Sequence, residues 1–174
     1  MVVQVYEDNG VASKPRFAGL NLAAYSNDIM ERYISFCVEH NCMPDVVTWH
    51  DLSTWQFNAF DAEYSHYRSL EEKYLTEENA ERYGVDITPR EIVINEYADR
   101  YECASPGDLV RWIGLFEEYN VAGCLPFWHL SNNLNGLAAG NNEGNGAWWL
   151  YKWYGDMSGQ YLPVTTSNTS KDNY

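Results

Sequence analysis

The spacing of apolar positions along the chain switches repeatedly between strand-like and helix-like periods. Residues 16–23, Arg-Phe-Ala-Gly-Leu-Asn-Leu-Ala, predict a short buried strand. Ser26 or Asn27 then caps a helix with Ile29, Tyr33, Ile34, Cys37 and Val38 on one face. Pro44 ends that unit, and Asp45 to Trp49, rich in β-branched residues, predict a second strand. A long polar helix is expected over 61–83, with Tyr64, Tyr67, Leu70, Tyr74 and Leu75 on one face. Its Glu71, Glu72, Glu77, Glu78 and Glu81 read as a solvated face. Glu91-Ile92-Val93-Ile94-Asn95 predicts a third strand. Ser105-Pro106-Gly107-Asp108 opens the next helix: Ser105 caps, Pro106 takes the first helical position and Asp108 completes a capping box. Leu109, Trp112, Ile113 and Phe116 form its apolar face. Ala122 to Trp128 predict a fourth strand, with Pro126 as a mild objection. Residues 131–146, dominated by Asn and Gly, read as a long loop, Trp148 to Tyr154 as an aromatic helix, and 163–174 as a linker or tail.

Strand then helix, four times over, predicts an α/β fold with a parallel sheet. Two architectures fit. One is a doubly wound open sheet. The other is a stretch of a (β/α)₈ barrel, which as a whole takes ~250 residues. A chain of 174 residues with four such units is too short for the full barrel.

Lys and Arg number 11 against 25 Asp and Glu, a net charge of −14. That excess argues against nucleic acid as a partner, because a phosphate-backbone binder needs a basic footprint. It also disfavours an anionic membrane surface, and no apolar run approaches the ~20 residues of a membrane span. Met1 is followed by Val-Val-Gln-Val-Tyr-Glu, which lacks a basic region and a long apolar core, so no signal peptide is expected in this stretch. The four cysteines, Cys37, Cys42, Cys103 and Cys124, form no CxxC and no zinc spacing, and read as buried free thiols.

In a parallel α/β fold the reacting groups gather at the C-terminal ends of strands. The first strand ends near Asn21, the second in Trp49-His50-Asp51, the third in Asn95-Glu96-Tyr97, and the fourth in Trp128-His129 before the Asn/Gly loop with Asn132. Aromatic faces under C–H surfaces and dense hydrogen bonding to hydroxyls are what a sugar requires, and these residue types supply both. Glu96 is the key position, a carboxylate raised from the apolar run Ile-Val-Ile-Asn. A retaining glycosidase uses one such carboxylate as nucleophile and a second, ~5–5.5 Å away, as acid/base. The bland alternative pairs Glu96 with Arg90 or Arg100; His50 can equally be structural and Trp128 a core residue. Asp99, Glu102 and Glu143 are weaker candidates for an acid, because none follows a strand directly. Other chemistries lack their motifs: no GxSxG elbow, phosphate loop or HExxH occurs, and neither a metal nor a cofactor is expected.

These residues carry a resemblance. Pro44-Asp45-Val46-Val47-Thr48-Trp49-His50-Asp51-Leu52 resembles the sixth-strand segment of clan A glycoside hydrolases similar to family 39. Arg16 to Asn21 resembles their fifth strand, with Gly19-Leu20 where Gly-Pro is usual; Ile92 to Tyr97 resembles the seventh and Phe127-Trp128 the eighth. Tyr154-Gly155-Asp156-Met157-Ser158-Gly159 resembles the exit from the last helix toward a β-sandwich. The resemblance implies that residues 1–162 are the C-terminal half of a catalytic TIM barrel, strands five to eight. It makes Glu96 the nucleophile, and places Asn21, Trp49, His50, Asn95, Tyr97, Trp128 and Asn132 around a carbohydrate. The acid/base, a Glu ending the fourth strand, has no counterpart here, so the expected parent is a secreted retaining hydrolase of β-linked polysaccharide and the isolated chain has little activity.

A half barrel would expose two sheet edges, so self-association is expected, and a monomeric, cooperative melt at low concentration would count against it. Two rivals remain: a carbohydrate-binding protein without catalysis, and an independent flavodoxin-like interaction domain. Glu96→Gln separates the first rival, since it abolishes turnover and spares sugar binding. A stable monomer with acidic residues clustered at the switch point marks the second.

Overall fold

The apolar runs become strands and the amphipathic runs between them become helices. A computed structural model of the chain describes residues 2–125, 137, 143–160 and 162. The element order is α1 (Val2–Asp8), β1 (Ala18–Leu22), α2 (Asn27–Glu39), β2 (Val46–Asp51), α3 (Thr54–Tyr74), α4 (Glu77–Tyr83), β3 (Glu91–Tyr97), α5 (Pro106–Tyr119), β4 (Ala122–Gly123) and α6 (Gly146–Asp156). The strands form one four-stranded sheet in sequential order β1-β2-β3-β4, the parallel α/β arrangement that the alternation predicts. Ala18 lies opposite Val46 in parallel register, and the register shifts between Leu20 and Leu22. Asn21, at that shift, has φ 62°. Such a backbone is uncommon outside glycine, and asparagine is among the residues that tolerate it.

Two compact units share these elements, one of the described residues within 1–50 and 61–95, the other of those within 51–60 and 96–174. In the first, α2 buries Met30, Ile34, Cys37 and Val38, β2 buries Val46, Val47 and Trp49, and β3 buries Ile92 and Ile94. Tyr67 and Leu70 of α3 join them. In the second, Leu109, Trp112, Leu115 and Phe116 of α5 are buried, with Phe57 and Phe60 from the start of α3. Aromatic edges meet faces there: Phe57 on Trp112 at 4.9 Å and Tyr97 on Phe116 at 4.9 Å between ring centres. Such pairs contribute about 0.5–1.5 kcal/mol each beyond the area they bury.

Several expectations are corrected. The helix predicted over 61–83 begins earlier, at Thr54, and is broken after Tyr74. The Thr76 hydroxyl accepts the Asn79 N–H at 3.3 Å and starts α4, which Gly84 closes in the left-handed conformation at φ 73°. Residues on both sides of the break favour helix, so periodicity runs across it. Glu71 belongs to the interior: it is 5% exposed, and its carboxylate accepts the Tyr67 hydroxyl and the Arg90 N–H, both at 2.7 Å, and pairs with Arg68 at 2.6 Å. Ser105 occupies the N-cap of α5 with Pro106 behind it, but its hydroxyl makes no capping bond. Cys37 and Cys103 are buried free thiols, whereas Cys42 and Cys124 are exposed. Described residues of the fourth strand are Ala122–Gly123; Pro126 to Trp128 lie outside the described residues, as do 163–174.

Candidate functional site

At the C-terminal end of the strands in the first unit, three side chains converge. The left-handed turn at Asn21 brings its own N–H to the Thr48 hydroxyl at 3.2 Å. That hydroxyl donates in turn to Asn21 Oδ1, and Asn95 Nδ2 donates to the same oxygen at 3.0 Å. Neighbouring strands thus tie together Asn21 of β1, Thr48 of β2 and Asn95 of β3. The remaining amide oxygen, Asn95 Oδ1, is buried without a hydrogen-bond partner. A buried acceptor left unmade costs about 1–3 kcal/mol, so it is a place where a donor would be favoured. Sequence reasoning missed Thr48, which reads as a β-former; a hydroxyl in an otherwise apolar run, one strand from a polar strand end, is the signal.

His50 stands two residues beyond Thr48 on β2, on the same strand face by the two-residue alternation, and is half-buried. Trp49 is fully buried, edge-on to Tyr25 at 5.0 Å between ring centres and near Tyr67. It packs the core. Tyr25 reaches His66 with its hydroxyl, 2.8 Å from Nδ1, and burial raises its pKa. His66 is a further polar contact that sequence reasoning passed over, since it falls on the helix face rather than at a strand end.

In β3 the alternation of buried and open positions holds through Asn95 and breaks at Glu96, so that Asn95 and Glu96 are both half-buried. The second unit begins at Glu96. Tyr97 is 3% exposed; its hydroxyl shares a hydrogen bond with that of Tyr151, and burial pushes it well above the usual phenol range. Burial also pushes Tyr151 up to about 12. The chain turns immediately afterwards, at Ala98 with φ 74°, whose N–H donates to the Asp51 carbonyl at 3.0 Å.

The acidic side chains beyond that turn build it. Glu102 accepts the Asp99 N–H at 2.9 Å, the Trp112 indole N–H at 3.2 Å and the Thr54 hydroxyl at 2.9 Å. Asp99 accepts the Tyr101 N–H at 2.9 Å. Arg100 donates to the Tyr101 hydroxyl at 2.9 Å, and Arg90 is engaged with Asp86 at 3.5 Å and with the Asp86 carbonyl at 2.7 Å. Trp128 and Asn132 lie outside the described residues. Among the described residues, no group of three or more His, Cys, Asp or Glu could hold a metal ion, and no helix is long and apolar enough to cross a membrane.

A cleft of about 430 Å³, lined among others by Arg16, Asp45, Asp86 and Glu91, lies at the opposite, N-terminal ends of the strands. In parallel α/β folds that end serves stability, and the C-terminal end carries chemistry. The cleft is therefore not the candidate site.

Comparison with known proteins agrees in direction. No protein-family model matches the chain. It is 37% identical over 135 residues, 76% of its length, to the 3-O-alpha-D-galactosyl-alpha-L-arabinofuranosidase of Bifidobacterium longum subsp. longum. It is 32% identical over 161 residues, 92% of its length, to the 3-O-beta-L-arabinopyranosyl-alpha-L-arabinofuranosidase of Bifidobacterium pseudocatenulatum. The chain spans 11% and 15% of the length of these curated relatives. It also superposes on the solved structure of N2152 from Neocallimastix frontalis with a TM-score of 0.67 and 29% identity, over 91% of this chain and 38% of that one. The four-stranded α/β chain with polar strand ends is thus homologous to a segment of two glycoside hydrolases, both arabinofuranosidases.

Proposed function

We propose that this chain supplies the nucleophile-bearing half of a retaining glycoside hydrolase barrel of the clan A, family 39-like kind, acting on arabinofuranosyl-linked carbohydrate. The names of the two relatives favour an arabinofuranosyl linkage over the β-linked polysaccharide expected from sequence. The observation that carries the reading is the end of β3, where Asn95 is held by Asn21 and is followed at once by the half-buried residue Glu96. Asp99 and Glu102, the nearest acids downstream, are spent on the turn.

In this reading the Glu96 carboxylate attacks the anomeric carbon and forms a glycosyl ester as the leaving oxygen departs. An acid on another strand, ~5–5.5 Å away, protonates that oxygen and then activates the water that hydrolyses the ester. The sequential, parallel strand order is compatible with strands five to eight of the barrel. The resemblance is what assigns Asn21, His50, Asn95, Trp128 and Asn132 to the sugar. Trp49 and Tyr97 support the strand ends from within the core.

In the protein that carries this chain, Glu96→Ala and Glu96→Gln lower kcat on a nitrophenyl arabinofuranoside by ~10³-fold or more. Azide restores turnover to the alanine variant by occupying the vacated place and yields a glycosyl azide. Unchanged kcat in Glu96→Gln overturns the assignment.

A further inference from the structure

Helix α2 ends in a Schellman closure. Asn41 takes the left-handed conformation at φ 49°. Its N–H donates to the Val38 carbonyl at 3.2 Å, and the Cys42 N–H donates to the Cys37 carbonyl at 2.8 Å. These are the two bonds of the motif, and the motif sets the side chain of its last-turn residue against that of the second residue past the cap, ordinarily as an apolar contact. Here both positions are cysteine. The 2.8 Å bond bounds their separation: with ordinary bond lengths the two Cα atoms lie at most about 6.7 Å apart, inside the window of about 4.4–6.8 Å that a disulfide needs.

The thiols also sense one another. Burial first, and the neighbouring Cys42 next, push the Cys37 thiol up to about 11, while a hydrogen bond with Tyr33 opposes the shift. Cys42 is exposed and Cys37 is buried, so the pair has one accessible member and one shielded behind it. That asymmetry suits stepwise exchange, because access decides which sulfur meets an incoming disulfide.

We propose that Cys37 and Cys42 are a closable dithiol, a site of thiol–disulfide exchange with small-molecule disulfides that ties the end of α2 to the segment entering β2. The Cys42 thiolate attacks a disulfide RSSR, forming a Cys42–SR bond and releasing RS⁻. The Cys37 sulfur, losing its proton, then attacks Cys42 Sγ; the Cys37–Cys42 bond forms and a second RS⁻ leaves. Two thiols are oxidised, one RSSR is reduced to two thiolates, and two protons are released. A reducing thiol reverses both steps.

The test uses the wild-type chain and oxidised glutathione, followed by alkylation under non-reducing conditions and tryptic digestion. Cleavage after Arg32 and Arg68 puts Cys37 and Cys42 in one peptide, 33–68, while Cys103 and Cys124 fall in peptides 101–111 and 112–152. The proposal predicts that 33–68 becomes about 2 Da lighter and resists alkylation, and that a reducing thiol restores it. It predicts closure at least ~10-fold faster in the native chain than in denaturing urea, because the closure holds the sulfurs together. In Cys37→Ser, Cys42 stops at the mixed disulfide with glutathione. Equal rates in native and denatured chains, a stable glutathione adduct on Cys42 of the wild type, or cross-linking of 101–111 to 112–152 with 33–68 left reduced would each overturn it.

Discussion

Glu71 lies among Glu72, Glu77 and Glu78 in a run that reads as wet, yet its carboxylate faces inward and collects three partners, the Tyr67 hydroxyl, the Arg90 N–H and the Arg68 guanidinium. Burial raises the Tyr67 pKa, so the phenol keeps its proton and donates it. Removing one partner of a buried ionic cluster leaves the others desolvated and costs about 3–5 kcal/mol. Glu71→Ala therefore lowers the unfolding free energy by about 3 kcal/mol or more, read as a shift in the urea midpoint; Glu71→Gln, which still accepts from Tyr67 and from Arg90, loses less. An unchanged midpoint in the alanine variant would contradict the cluster. The same scale shows why part of the site was hidden. Nothing in Gly-Leu-Asn-Leu announces that Asn21 is left-handed, and only that backbone brings its amide to Thr48 and Asn95.

At the scale of elements, two caps that look alike in sequence behave differently. Thr76 accepts the Asn79 N–H, whereas Ser105 makes no side-chain bond and leaves the start of α5 to Pro106. Thr76→Ala is expected to cost about 1 kcal/mol, and Ser105→Ala, having no capping bond to lose, well under half of that by the same denaturation. Equal losses would show that the cap geometry is wrong. The order of strands and helices was legible because buried strands are short apolar runs and α2 and α5 carry apolar stripes. The start of α3 was not: Thr54 to Phe60 mixes exposed Trp55 with buried Phe57 and Phe60. The break at Leu75-Thr76 was hidden because it depends on a single hydroxyl between two helix-favouring stretches. Position along the chain places Asn21, His50, Asn95 and Glu96 at or near strand ends, but the alternation of faces, not chemistry, decides that Trp49 and Tyr97 turn into the core.

At the scale of the whole molecule, an excess of 25 acidic over 11 basic residues on a parallel α/β frame suits a neutral hydroxylated ligand better than a polyanion. In parallel α/β folds chemistry gathers at the C-terminal ends of strands, and the homology of this chain runs to segments of much longer glycosidases. The central claim is that Glu96 makes the covalent bond to the sugar. The most direct measurement is to trap that bond in the protein carrying this chain, using a 2-fluoro-arabinofuranoside with a dinitrophenolate leaving group. Such a leaving group departs without protonation, so trapping reports on the nucleophile alone, whichever residue is the acid. Tryptic cleavage after Arg90 and Arg100 isolates Glu91-Ile92-Val93-Ile94-Asn95-Glu96-Tyr97-Ala98-Asp99-Arg100, and fragmentation locates the adduct. The account predicts the fluorosugar on Glu96. An adduct on any other carboxylate, or turnover of the substrate with this peptide unlabelled, would contradict it.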